Sequence, residues 1–227
     1  MKGKFVVLEG IDGSGKSSII EFITGQKLRA FNLESASHQI QKKLLDNFKG
    51  ITVSYEPTDS SFGRQIRQVL KKVTEVSKEE LIELFINDRA VNIEYVNKML
   101  SLGMLVVQDR YYYSNVAYQS YSQDDLDSIM SKNMAKFPEP DLLVYLDCPV
   151  DVALSRINSR FSQEDGVAAE LFDSKKELER VKANYEKVLP RNCLRIDSSN
   201  KTTEEICELI VDEILKNTKQ SPAADIK

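Results

Sequence analysis

The chain has 227 residues, enough to bury a sizeable core as one domain. Hydrophobic residues make up 41% and charged residues 29%, the mix of an ordinary globular protein, with a formal net charge of −4. Without a broad positive field, neither nucleic acid nor a membrane surface is an expected partner, and an anionic ligand must be met by a few placed cations.

The opening residues Met1-Lys2-Gly3-Lys4 run straight into the first predicted strand, Phe5-Val6-Val7-Leu8-Glu9, so a secretory signal here would have to include the glycine-rich turn that follows, and none is expected. The strand leads into Gly10-Ile11-Asp12-Gly13-Ser14-Gly15-Lys16-Ser17, which fits G-x-x-x-x-G-K-[ST]. Three glycines let the backbone bring amide groups close to phosphate oxygens, and a helix predicted from about Lys16 adds its positive end. Phosphate contacts are therefore expected from Gly10, Asp12, Gly13, Ser14, Gly15, Lys16, Ser17 and Ser18. Lys16 would reach the β- and γ-phosphates of a nucleoside triphosphate, and the Ser17 hydroxyl would ligate Mg²⁺.

Residues 26–50 have the least clear pattern. Ile40, Leu44, Leu45 and Phe48 are expected to form one apolar helix face, with His38 at the surface. A weaker strand, Ile51-Thr52-Val53-Ser54-Tyr55-Glu56, precedes Pro57, and Arg67 follows on a predicted helix. Ser77-x-x-Glu80 is a capping box that starts a long helix to about Leu100, stopped near Gly103. On it, Phe85 and Arg89 are spaced i, i+4, so a ring and a planar bidentate donor share one face. They would form a nucleobase site; alternatively Phe85 is plain core and Arg89 a solvated cation.

The next strand, Leu105-Val106-Val107-Gln108-Asp109, ends beside Arg110. Asp109 would hold waters of a magnesium ion, or else serve as a strand-end turn or helix cap. Leu142-Leu143-Val144-Tyr145-Leu146-Asp147 and Cys193-Leu194-Arg195-Ile196-Asp197 complete five strands. Nearly unbroken apolar runs alternating with helical patterns predict an α/β, doubly wound parallel sheet of about five strands with helices on both faces. Ligands in such folds collect at the carboxyl ends of the strands. Thr202-x-x-Glu205 caps a last helix. The organisation expected is one domain over residues 1–217 and a flexible tail over 218–227. Cys148, Cys193 and Cys207 lack paired spacing, as expected of reduced thiols in a cytoplasmic protein, and no apolar run approaches the roughly 20 residues of a membrane span.

These pieces together resemble the thymidylate kinases, P-loop nucleoside monophosphate kinases. The matching blocks run in the family's order over most of the chain: Leu8 to Ser17, Glu56-Pro57-Thr58 on to Ile66-Arg67, Phe85-x-x-x-Arg89, Asp109-Arg110-Tyr111 through Ser114-Asn115-x-Ala117-Tyr118-Gln119, and Pro140-Asp141-Leu142 through Tyr145-Leu146-Asp147. The resemblance implies ATP-dependent phosphorylation of dTMP to dTDP, with Mg²⁺, by a homodimer. Phe85 would stack on thymine, Arg89 bond its exocyclic oxygen and Asn115 read its edge. Tyr118 would crowd the 2′ position, Asp12 bond the 3′-hydroxyl, and Arg110 and Arg67 hold the acceptor phosphate. Ser114 and Gln119 belong to the same substrate-binding block. The Glu56–Pro57 bond falls where the family has a cis peptide.

The chain also departs from that pattern. The cradle carries no arginine, so the mobile cation is expected in a lid of about residues 156–172, with Arg160 on the phosphates and Arg156 near adenine. Each could equally be a surface arginine. Tyr55 replaces an arginine common before Glu-Pro, and the gap between the cradle and Glu56 is long. Another nucleoside monophosphate kinase, or a nucleotide-binding paralogue with weak transfer, are the competing readings.

Overall fold

The computed structural model describes residues 2–25, 37–161 and 175–216. In chain order the elements are β1 (Lys4–Glu9), α1 (Lys16–Thr24), α2 (Ser37–Leu45), β2 (Ile51–Tyr55), α3 (Ser61–Leu70), α4 (Lys78–Ser101), β3 (Leu105–Asp109), α5 (Tyr112–Gln119), α6 (Gln123–Met134), β4 (Leu142–Asp147), α7 (Val150–Phe161), α8 (Lys175–Val188), β5 (Leu194–Asp197) and α9 (Thr203–Lys216). The strands form one sheet in the order β2-β3-β1-β4-β5, and each neighbouring pair is parallel.

The unbroken apolar runs are explained by burial on both faces. In β1, Phe5 and Val7 enter one core layer and Val6 and Leu8 the other. Side chains alternate across a strand, so a strand covered above and below has no polar side to show. Both expected capping boxes close: Ser77 accepts from the Glu80 amide while Glu80 accepts from that of Ser77, and Thr202 and Glu205 do the same. A further capping box, Ser122 with Asp125, starts α6.

One sequence expectation is corrected. Ile40, Leu44 and Phe48 are buried as expected, but Leu45 is 51% exposed. It lies next to Leu44 on the helix, one residue round from the stripe that the core covers. His38 is exposed, and the three cysteines are buried free thiols. Of the segment expected as a lid, residues 156–161 form the end of α7; residues 162–174 and the tail at 218–227 lie outside the described residues.

β1 lies between β3 and β4. The chain crosses to opposite sides of it, so the connections leaving β1 and β3 diverge and open a crevice at the carboxyl end of the sheet.

Candidate active site

The cradle fills the turn from β1 into α1. Gly15 caps the helix at φ 103° and no side chain bonds the helix start, which leaves its amides to an incoming anion. Gly13, at φ 79°, lies against α7, and a Cβ there would come within 2.4 Å of the Ala153 carbonyl oxygen. Lys16 is buried and turned into the loop, donating to the carbonyls of Gly10 at 2.8 Å and Ile11 at 3.0 Å. Burial, with Arg110 nearby, pulls its amine down to about 8.

Arg110 follows β3 in the left-handed region, at φ 62°. Its N–H donates to Leu8 at 3.1 Å, and that turn aims the guanidinium back at the cradle. There it donates to Gly10 at 3.3 Å and to Ser114 Oγ at 3.1 Å, and pairs with Asp12. The Tyr118 hydroxyl donates to the other Asp12 oxygen at 2.9 Å, and its ring lies 5.0 Å from the Arg110 guanidinium carbon. Burial acts to raise the Asp12 carboxyl, but Arg110 and Lys16 outweigh it and hold it below the usual range.

Glu9, fully buried under this knot, accepts from the Tyr111 amide at 2.8 Å, Ser114 Oγ at 2.6 Å and the Tyr185 hydroxyl at 2.8 Å. Burial raises its carboxyl, and those donors favour the charged form.

At the other end, the Glu56–Pro57 peptide is cis. Arg89, 1% exposed, pairs with Glu56 at 2.7 Å, donates to Asn133 at 2.5 Å and lies 5.5 Å from the centres of both the Tyr111 and Phe137 rings. Burial pushes the Glu56 carboxyl up to about 7, against the pull of Arg89. One residue earlier, Asp88 accepts from the Thr58 amide at 2.7 Å and from the Ser60 hydroxyl at 2.6 Å. The pair Asp88-Arg89 thus clamps both sides of the Pro57 turn to α4. Phe85, a turn back, is half-buried. Arg67 donates to the carbonyls of Pro57 at 3.0 Å and Thr58 at 2.8 Å and pairs with Asp59 at 3.0 Å. Tyr55, the departure noted in the sequence, donates to the second Asp59 oxygen at 2.6 Å.

Asn115 and Gln119 are buried on α5, bonded to one another at 3.3 Å. The Gln119 Nε2 donor has no partner among the described residues. From α8, Arg180 and Asn184 hold the carbonyls at the end of α5: Arg180 Nη2 reaches Tyr118 at 3.0 Å, and Asn184 Nδ2 reaches Ala117 and Ser120 at 2.9 Å each.

A single cleft of about 970 Å³ collects these groups. Its walls include Asp12, Gly13, Ser14, Gly15, Lys16, Ser17 and Ser18 at the cradle; Glu56, Pro57, Arg67, Phe85 and Arg89 at the ring end; and Asp109, Arg110, Ser114, Asn115, Tyr118, Gln119 and Arg156. Gly10 supports the cradle from behind, with its carbonyl taken by Lys16 and Arg110. Arg160 lies in the last turn of α7, and its side chain falls outside the described residues. Arg156 donates to the Ser198 carbonyl at 2.8 Å, which brings Ser198, Lys201, Thr203 and Ile206 into the wall. Sequence reading missed these four: the capping box at Thr202 marks where α9 starts but not that the loop before it and its first turn face the cleft. The wall carries six cations, Lys16, Arg67, Arg89, Arg110, Arg156 and Lys201, against three carboxylates, Asp12, Glu56 and Asp109. Asp109 Oδ1 is buried without a partner among the described residues, and Ser17 lines the same cleft; a carboxylate oxygen with free lone pairs and a hydroxyl are oxygen donors of the kind a hard cation such as Mg²⁺ takes.

A family model described as thymidylate kinase matches residues 34–210. The chain is 37% identical over 224 residues to the thymidylate kinase of Leptospira interrogans serovar copenhageni, covering 96% of this chain and 98% of that protein. It is 34% identical to a probable thymidylate kinase of Methanococcus aeolicus, over 93% of this chain and 96% of the relative. The solved structure of thymidylate kinase from Candida albicans shares the fold, with a TM-score of 0.71 at 19% identity over 97% of this chain and 94% of that one. The chain belongs to the thymidylate kinase family.

Proposed function

We propose that this protein transfers the γ-phosphoryl group of ATP to dTMP, giving dTDP and ADP. The observation that carries the reading is one cleft that holds both a phosphate cradle and a ring-sized wall at Phe85, with Arg110 bonded to the cradle itself.

A nucleoside monophosphate is largely a dianion at neutral pH, with a second phosphate pKa of roughly 6. It needs no general base. The barrier is the cost of bringing two anions into line, so cations and alignment do the catalysis. Lys16 and the α1 amides grip the donor phosphates, and Arg110 and Arg67 grip the acceptor phosphate. Asp12 takes the sugar 3′-hydroxyl, and Tyr118, bonded to it, crowds the 2′ position. Phe85 stacks on thymine; Asn115 and the unpartnered Gln119 Nε2 supply the polar edge. Arg89 lines the same cleft but is held by Glu56 and Asn133, so it meets the ring's exocyclic oxygen with its remaining donor capacity. Ser17 and Asp109 would hold Mg²⁺, which neutralises phosphate charge when bound. Arg156 packs the adenine end, and Arg160 is the candidate for the mobile cation.

The enzyme acts as a homodimer in this reading. Val91 and Tyr95, spaced i, i+4 on α4, are 46% and 40% exposed, and Leu102 just beyond is 50% exposed. Sedimentation equilibrium tests it: a monomer at micromolar concentration defeats the dimer.

A coupled assay with ATP and Mg²⁺ across nucleoside monophosphates tests the reaction. Preferential turnover of dTMP is expected. Equal turnover of uridylate, cytidylate and thymidylate would end the thymine assignment, and tight binding without diphosphate product would end the enzyme assignment.

A further inference from the structure

The left-handed backbone of Arg110 is disfavoured for any residue with a Cβ, so something must hold it. Its N–H is tied to Leu8. Its carbonyl is tied by a side chain: Gln108 Nε2 donates to it at 2.8 Å. Gln108 is fully buried, in a strand that is otherwise apolar until Asp109. Its Oε1 accepts from Asn92 Nδ2 at 3.1 Å, and the same Asn92 nitrogen donates to Glu56 Oε1 at 3.2 Å. Asn92 Oδ1 in turn accepts from the Ser54 hydroxyl at 2.5 Å.

Each amide in this line has only one workable orientation. In the ionised form that its pairing with Arg89 favours, the Glu56 carboxylate accepts only, so it meets the Asn92 NH₂. That NH₂ must then meet the Gln108 oxygen, which leaves the Gln108 NH₂ for the Arg110 carbonyl. Fully satisfied buried networks of this kind are rigid, and loss of one member leaves the others unpaired.

We propose that Asn92 and Gln108 are positioning residues: a buried amide strut, anchored on the Glu56–Arg89 pair behind the ring end, that holds the Arg110 backbone in its left-handed turn and so aims the guanidinium at the acceptor phosphate. The proposal rests on the reading that Arg110 grips that phosphate. Neither amide lines the cleft, so neither touches substrate. The strut ties the wall that meets the ring to the group that meets the phosphate, across three elements, β2, α4 and β3.

The test compares the affinities of dTMP and thymidine, which differ only in the phosphate that Arg110 serves. Both are measured by calorimetry on folded Gln108→Met, Asn92→Leu, the double variant and Arg110→Ala. Gln108→Met is expected to weaken dTMP about 10- to 100-fold while leaving thymidine nearly unchanged. The dTMP-to-thymidine ratio should fall by the same factor in Asn92→Leu and in the double variant, since the two amides act in series. If Gln108→Met does not fold, Gln108→Glu keeps the oxygen for Asn92, replaces the donor with an acceptor, and carries the same expectation. Equal weakening of dTMP and thymidine, an unchanged ratio, or additive losses in the double variant overturns the strut. If Arg110→Ala itself leaves the ratio intact, the phosphate role of Arg110 is wrong and the proposal falls with it; a lowered ratio in Arg110→Ala beside an unchanged one in Gln108→Met overturns the strut alone.

Discussion

Lys16 carries its charge under strain from burial. In the free protein its amine gives up its proton through about pH 8, whereas a bound triphosphate favours the charged form. ATP binding is therefore tightest below pH 8 and takes up a proton above it. Affinity should weaken by up to about tenfold per pH unit once the free amine has titrated, as calorimetry between pH 7 and 9.5 would measure. Phe85 is half-buried in the cleft wall, and in the proposed stacking role it would hold ground state and transition state alike. Phe85→Ala should raise the KM for dTMP with kcat largely kept, and an unchanged KM would remove the stacking role. Glu56 is different, because it compensates a guanidinium that has almost no contact with water. Glu56→Gln should cost about 3–5 kcal/mol in urea denaturation, and Glu56→Gln combined with Arg89→Met should recover part of it.

At the scale of elements, the strand–cradle–helix unit shows how two glycines differ. A Cβ at Gly15 meets nothing within 4 Å, so Gly15→Ala is opposed by backbone alone, by about 1–2 kcal/mol. Gly13→Ala adds a collision with the Ala153 carbonyl and should be the more destabilising of the pair in thermal unfolding. That unit was legible in the sequence because its spacing is itself the physical requirement. So were the strands, whose double-sided burial leaves unbroken apolar runs, and α4, whose start is written in Ser77 and Glu80. The partners of buried polar residues were not legible. Nothing local distinguishes Gln108 from a solvent-facing strand residue, and its partner Asn92 is on another element. Arg180 reads as a helix surface cation until α8 is seen packed on the end of α5. Leu45 shows the converse: hydrophobicity alone cannot say where an apolar stripe stops.

The whole molecule carries a net charge of −4, yet lines its cleft with twice as many cations as carboxylates. A cleft of that sign focuses the field on anions entering it. The kcat/KM for dTMP should therefore fall as ionic strength rises beyond about 0.1 M, where screening reaches roughly 10 Å, while kcat changes little. Stopped-flow binding across a salt series separates the two; a flat kcat/KM would rule the effect out. The division of sign between skin and crevice also works as a filter. A small nucleotide slips past the repelling exterior and is welcomed inside, whereas a long polyanion, too broad for the crevice, meets mostly the hostile face. Placing the charges this way should favour single nucleotides over strands before any base is recognised.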